Sequence, residues 1–174
     1  GVGLLFLPSF LVGIASPPPT IELEATADMR LLTYNIRQGF GSGNRFDLEA
    51  VAQEIERYPA DVIALQEIGR GWIISGSVDT LAWLSRRLDM PALYGANAGD
   101  LWGNAVLTRL PVIDAGNTHF DLEGRVPRGF QDLTLRTTDG PIRIVNTHLD
   151  HEEDGSTARS SQILRILEAL DHAP

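Results

Sequence analysis

Four polar residues stand at the ends of runs that otherwise read as buried strands, and their types suit phosphoryl chemistry. Asn35 closes LLTYN, Glu67 closes VIALQE, Asn104 opens NAVLT and His148 closes IRIVNTH. Period-two alternation groups Leu31 and Thr33 with Asn35, and Ile63 and Leu65 with Glu67. If those two runs are neighbouring strands, a carboxylate and a carboxamide meet at one sheet edge. That pair suits a hard cation that keeps most of its waters, which describes Mg²⁺ better than zinc or a calcium cage. Such an ion would polarise a phosphoryl oxygen, and a nearby histidine could donate to phosphate or exchange a proton. Taken singly, each residue has a plainer reading: Glu67 as a solvated loop residue or cap, His148 as an ordinary hydrogen-bonded histidine, Asn104 as a turn residue.

The elements that must position these groups alternate between strand and helix from Arg30 onward, the α/β pattern. Arg30–Ile36 is a short apolar run followed by the Gly-rich loop QGFGSGN. Asp47 caps a helix that runs to Tyr58 with Leu48, Val51, Ala52 and Ile55 on one face. Asp61–Glu67 reads as a buried strand. A second helix, Asp79–Leu88, presents Leu81, Trp83, Leu84 and Leu88. Asn104–Leu107 and Val112–Phe120 read as strands, and Phe130–Thr137 and Pro141–Leu149 flank an Asp139-Gly140 hairpin signal. A last helix, Thr157–Leu170, places Ile163, Ile166, Leu167 and Leu170 on one side.

The 174 residues fit one domain, and 43% hydrophobic content can supply a core. There is no Cys, so disulfides, thiolate zinc sites and a cysteine nucleophile are excluded. The net charge is −9 and all 14 basic residues are Arg. That surface repels a nucleic-acid backbone at long range, so nucleic acid is not favoured as a partner, although one phosphate in a local Arg pocket is compatible. Residues 1–16 are uncharged and mostly apolar and run into Pro17-Pro18-Pro19. The stretch is shorter than the ~20 residues that span a bilayer. It is read as the end of a truncated transmembrane segment, with 17–28 as linker and 29–174 as the folded part. A signal-peptide remnant and a buried element of the domain are the alternatives.

Five segments occur in an order that identifies a family resemblance. They are RLLTYNIR at 30–37, DVIALQE at 61–67, WGNAVLTRLPV at 102–112, PRG at 127–129 and NTHLD at 146–150. From about Met29 to Leu170 the chain resembles the endonuclease/exonuclease/phosphatase superfamily, and QEIGRGWIISGSVDTLAWLSRRL is similar to members fused behind transmembrane helices. The resemblance implies an α/β sandwich of two β-sheets flanked by helices, incomplete at its C-terminal side, that cleaves phosphoester bonds with Mg²⁺, or alternatively Mn²⁺. It implies Glu67 and Asn35 as metal-binding residues, with Asn35 also catalytic, and His148 as catalytic near the scissile phosphate. Asn104 and Arg128 would bind substrate, Arg128 through its two-pronged guanidinium. Arg159 and Gln162 match a helix feature that is either structural or functional. The superfamily's G-D-x-N strand end and terminal S-D-H, which supply water activation, are absent from these residues. The chain is therefore expected to be an inactive piece of a longer protein, membrane-anchored with its domain outside the cytoplasm.

Other constellations carry less. Asp150, Glu152, Asp154 and Gly155 imitate the start of a calcium loop, but its twelfth position is Ser161. His148 and His151 are three apart on a strand end, where the rings need not converge on zinc. His119, His151 and His172 read as surface residues. Gly39, Gly41 and Gly43 lack dinucleotide-fingerprint spacing. The functional expectation is a metal-dependent phosphodiesterase or phosphatase acting near a membrane, with a lipid head group as a compatible substrate. A nuclease of the same superfamily and a non-catalytic binding or lipid-remodelling module are the alternatives.

Overall fold

A computed structural model describes residues 29–120 and 126–171. The transmembrane and linker readings for 1–28 lie outside the described residues, as does His172. Among the described residues no helix is long and apolar enough to cross a membrane.

Strand β1 (Leu31–Asn35) is followed by helix α1 (Leu48–Glu56), strand β2 (Val62–Gly69) and helix α2 (Thr80–Arg87). Strands β3 (Ala92–Ala98), β4 (Trp102–Thr108), β5 (Val112–Phe120), β6 (Arg128–Thr137) and β7 (Gly140–Thr147) come next, then helix α3 (Ser156–Asp171). The first sheet has the order β1-β2-β4-β3 and the second β5-β6-β7. Only the β1–β2 pair is parallel. This is the α/β sandwich of two sheets flanked by helices.

Local chemistry accounts for the helix starts. The Asp47 carboxylate accepts from the Ala50 N–H, and Asp79 accepts from Ala82, each satisfying an otherwise orphaned donor of the first turn. The expected faces of α1 and α2 are buried: Leu48, Val51, Ala52 and Ile55 on one, Leu81, Leu84 and Leu88 on the other. They pack against Ile63, Leu65, Ala105 and Leu107 on the outer face of the first sheet. The inner faces meet through Val62, Val106, Leu133, Leu135 and Ile144. β2 and β4 are therefore covered on both sides, which explains their unbroken apolar composition.

Two expectations change. β3 has no counterpart in the sequence reading, because ALYGANA carries small residues and a glycine in place of β-branched alternation. Its Gly95 is required: a Cβ there would stand 2.2 Å from the Gln131 side chain. The face of α3 expected to be buried is exposed at Ile163, Leu167 and Leu170, and Gln162 is its buried residue. Polar contacts hold α3 instead: Arg143 donates to the Ala169 and Leu170 carbonyls at its C-terminal end.

A chain of buried amides crosses between the sheets. Gln66 Nε2 donates to Asn146 Oδ1 at 2.8 Å and to Thr33 Oγ1 at 3.2 Å. Asn146 Nδ2 in turn lies 3.1 Å from the Leu65 carbonyl, 3.0 Å from that of Ala105 and 3.2 Å from Gln131 Oε1. Gln131 Nε2 reaches the Leu93 carbonyl. Buried amides unmatched in this way would each cost about 1–3 kcal/mol, so the partners fix one register between the sheets. Replacing Asn146 by Ala removes the one side chain that joins Gln66 to Gln131 and leaves Gln131 Oε1 without its donor. Denaturant unfolding of that variant is expected to show a loss of about 2–3 kcal/mol with an unchanged m-value.

Candidate active site

The ends of β1, β2 and β7 come together at one edge of the sandwich, where a β-bulge sets the central carboxylate. Leu65 pairs with Ala105 and Ile68 with Gly103, so Gln66 and Glu67 both oppose Asn104. Without the bulge, alternation would leave Glu67 on the helix side with Ile63 and Leu65. Thr33 and Asn35 are paired with Ala64 and Gln66, on the opposite face. The simple grouping of Asn35 with Glu67 thus needs a correction that period two cannot supply. Glu67 has φ +57°, a left-handed conformation costly for a residue with a Cβ, and this turns its carboxylate back between the sheets.

There Asn35 Nδ2 donates to Glu67 Oε1 at 3.0 Å, and the Arg37 N–H donates to Asn35 Oδ1 at 2.9 Å. Arg37 and Gln38, in the 3-10 turn after β1, also have positive φ, so two further strained residues border this pair. Asn35 is expected as a metal ligand and a catalytic group. In this arrangement its amide NH₂ faces the carboxylate and its oxygen faces a backbone donor, so it holds Glu67 in place.

His148 follows β7 directly, and its Nδ1 lies 3.6 Å from Glu67 Oε1. The structure thus brings Asn35, Glu67 and His148 into one contiguous group. Arg128, expected to face substrate, is 4% exposed. Its Nη1 meets His148 Nδ1 and its Nη2 meets His151 Nδ1, each at 2.9 Å, while its guanidinium lies 4.9 Å from the Trp102 ring centroid. Spacing alone treats His151 as a surface residue. It is exposed, yet joins the site because the chain turns after β7 and sets the two rings 6.4 Å apart.

Asn104, the other expected substrate contact, has no exposed surface. Its Nδ2 reaches the Gly129 carbonyl at 3.4 Å, and its Oδ1 has no partner among the described residues. Both amide atoms of nearby Asn97 are buried and equally without one. Asn104 therefore underlies the site instead of lining it. Arg159 and Gln162 are structural: Arg159 donates to the Asp150 and Glu152 carbonyls, and Gln162 accepts from the Asp150 N–H. These bonds hold the turn that carries His148 and His151. Asp150 Oδ1 accepts from the Glu152 N–H, a local role distinct from calcium ligation.

Charge is arranged in opposition. Burial holds Arg128 below its usual range, offset by the attraction of Glu67 and Asp150. Burial also pushes His148 below 6.5, the Arg128 cation adds to that, and Glu67 acts the other way. Among the described residues no group of three or more His, Asp or Glu side chains converges as a metal cage. Mg²⁺ does not require one: it binds through one or two carboxylates and keeps its waters. Glu67, oriented by Asn35 and partly exposed, fits that demand.

Comparison with known proteins identifies the family and the fold. The profile of the Endonuclease/Exonuclease/phosphatase family matches residues 32–174, and the chain belongs to that family. Its members are nucleases and phosphatases that hydrolyse phosphoester bonds and generally use divalent metals. Among solved structures, an endonuclease/exonuclease/phosphatase from Beutenbergia cavernae superposes with TM-score 0.64 at 22% identity, covering 84% of this chain and 44% of the other. D. rerio TDP2 complexed with single strand DNA product gives TM-score 0.67 at 16% identity, over 84% and 56%. A functionally unknown conserved protein from Enterococcus faecalis gives 0.67 at 25%, over 83% and 61%. The chain spans about half the length of the structures it matches. No curated protein sequence matches it.

A histidine whose folded pKa is depressed favours the neutral ring, so its contribution to stability is present above 6.5 and is lost as pH falls below that value. NMR titration of His148 is expected to give a midpoint below 6.5. Glu67→Gln should lower it further by removing the opposing charge, and Arg128→Gln should raise it. A midpoint unmoved by both substitutions would contradict the arrangement.

Proposed function

We propose that the chain forms part of a divalent-metal-dependent phosphodiesterase or phosphatase whose substrate is a phosphoester head group at a membrane surface. The observation that carries the reading is the bulge-turned Glu67, held by Asn35 and adjoining His148. Glu67 would hold Mg²⁺, or Mn²⁺, and Asn35 would keep its carboxylate aimed. The bound ion supplies charge stabilisation at the phosphoryl oxygens. His148 stands beside that position as a neutral ring able to donate a hydrogen bond to the phosphoryl group.

Two features support a membrane substrate. One is the uncharged apolar stretch 1–16, read as an anchor with the domain on the extracytoplasmic side. The other is the loop that leaves β2 just beyond Glu67. Residues 71–78 carry no charge, and a tight turn at Ile73–Ser75 presents Ile73 at 89% and Ile74 at 63% exposure. The turn is braced by the Ser75 hydroxyl on the Trp72 carbonyl, and the loop base by the Arg70–Asp79 ion pair at 2.7 Å. Exposed isoleucines on a braced, uncharged loop suit the apolar boundary of a bilayer. The net charge of −9 places nucleic acid second as substrate. A non-catalytic binding module is the other reading, favoured by the lack of a cluster of three or more His, Asp or Glu side chains among the described residues.

In the complete protein, Glu67→Gln is expected to reduce Mg²⁺-dependent turnover of a lipid phosphodiester on the order of 10²-fold or more. Turnover at the wild-type rate with unchanged metal dependence would remove Glu67 from the mechanism, and faster cleavage of DNA or RNA than of lipid would reverse the substrate order. Ile73→Asp should lower turnover on phosphatidylcholine vesicles by about tenfold or more. The same change should leave a soluble nitrophenyl phosphodiester unaffected; equal loss on both would show that the loop serves folding and not docking.

A further inference from the structure

Arg128 determines where two histidines carry their protons. A guanidinium only donates, so the ring nitrogens it meets must accept. His148 Nδ1 and His151 Nδ1 each lie 2.9 Å from a separate nitrogen of that guanidinium. A neutral imidazole has one N–H, and with Nδ1 accepting it sits on Nε2. Both Nε2–H groups therefore point away from Arg128, from rings 6.4 Å apart and inclined by 31°. His151 is exposed and His148 half-buried, so this pair faces the open side of the site while the guanidinium stays behind it against Trp102.

We propose that His148 and His151 together form a paired N–H receptor for a tetrahedral phosphoryl group, with Arg128 as the positioning residue behind them. The proposal rests on the phosphoester reading above and names the contacts that the substrate would make. It also reassigns Arg128, whose two-pronged donation is directed at imidazoles and not at phosphate. The rings as held offer no lone pair to a metal: Nδ1 is engaged and Nε2 is protonated. This removes the His148-x-x-His151 zinc alternative on chemical grounds. The cation behind the rings polarises both N–H bonds toward an anion, as hydrogen bonds in series strengthen one another. Glu67, beside His148, would repel an anion on its own, so a cation held there would offset that charge while the paired donors contact phosphate.

The test uses the ¹⁵N-labelled 174-residue chain at about pH 8, where histidines are neutral. Two-bond ¹H–¹⁵N correlation spectra should show the Nε2–H tautomer in both rings. Inorganic phosphate should shift the Nε2 signals of both, and His151→Ala should weaken its affinity about tenfold or more, as expected for losing a hydrogen bond to a charged group. Arg128→Lys should mix the tautomers of both rings while the backbone amide spectrum stays that of the folded chain. An Nδ1–H tautomer in either ring, or phosphate shifts confined to His148, would overturn the proposal. The outcome is separable from that of the functional reading. Paired shifts with no phosphoester turnover by the complete protein would keep the receptor and reject the enzyme. Turnover with no response at His151 would do the reverse.

Discussion

Everything at the candidate site depends on one backbone irregularity, the extra residue that β2 carries opposite Asn104. An ideal strand would deliver the Glu67 carboxylate to the helix-covered face, among Ile63, Leu65 and the apolar side of α1. A carboxylate buried there without a partner would be untenable. The bulge, with Glu67 at φ +57°, exchanges ladder regularity for a side chain aimed between the sheets. Strain of this size persists only where the surroundings over-determine it. Here they do so from both sides: Asn35 donates to the carboxylate, and the preceding residue, Gln66, is tied through Asn146 to the second sheet.

That tie explains how two sheets of different composition deliver one site. Glu67 and Asn35 belong to the first sheet, whereas Arg128 and His148 lie at the ends of strands in the second. Apolar packing between Val62, Val106, Leu133 and Leu135 brings the sheets together but tolerates sliding, because dispersion contacts are non-directional. The amides of Gln66, Asn146 and Gln131 are directional, and they lie one, two and three residues from Glu67, His148 and Arg128 respectively. A shift of one sheet against the other would break those bonds before it moved the site far. Stability and site geometry therefore share the same hydrogen bonds.

Much of the fold could be read from the chain, and the part that could not shares a physical cause. Capped amphipathic helices and continuous apolar strands announce themselves because their burial is repetitive and local. β3 does not, since it carries small residues in place of β-branched alternation, among them Gly95, which close approach of Gln131 requires. The apolar stripe of α3 misleads for the opposite reason. Its periodicity is that of a buried helix, yet the bonds that seat it come from Arg143, Arg159 and Gln162. The site divides the same way: Asn35, Glu67 and His148 are legible as polar ends of apolar runs, whereas the contacts of Arg128 with His148 and His151, and of Asn104 with the Gly129 carbonyl, are not.

The amino-acid sequence by itself determined every element type but that of β3, the family resemblance and the three polar groups that meet at the strand ends, because these rest on residue chemistry and short-range periodicity. Only the tertiary structure decided that Glu67 reverses its face, that Asn35 orients it, and that His151 joins His148 on a shared guanidinium. Those facts arise where segments some 20 to 80 residues apart come into contact. A bulge and a turn are each small departures from regular geometry that local composition leaves open and packing resolves.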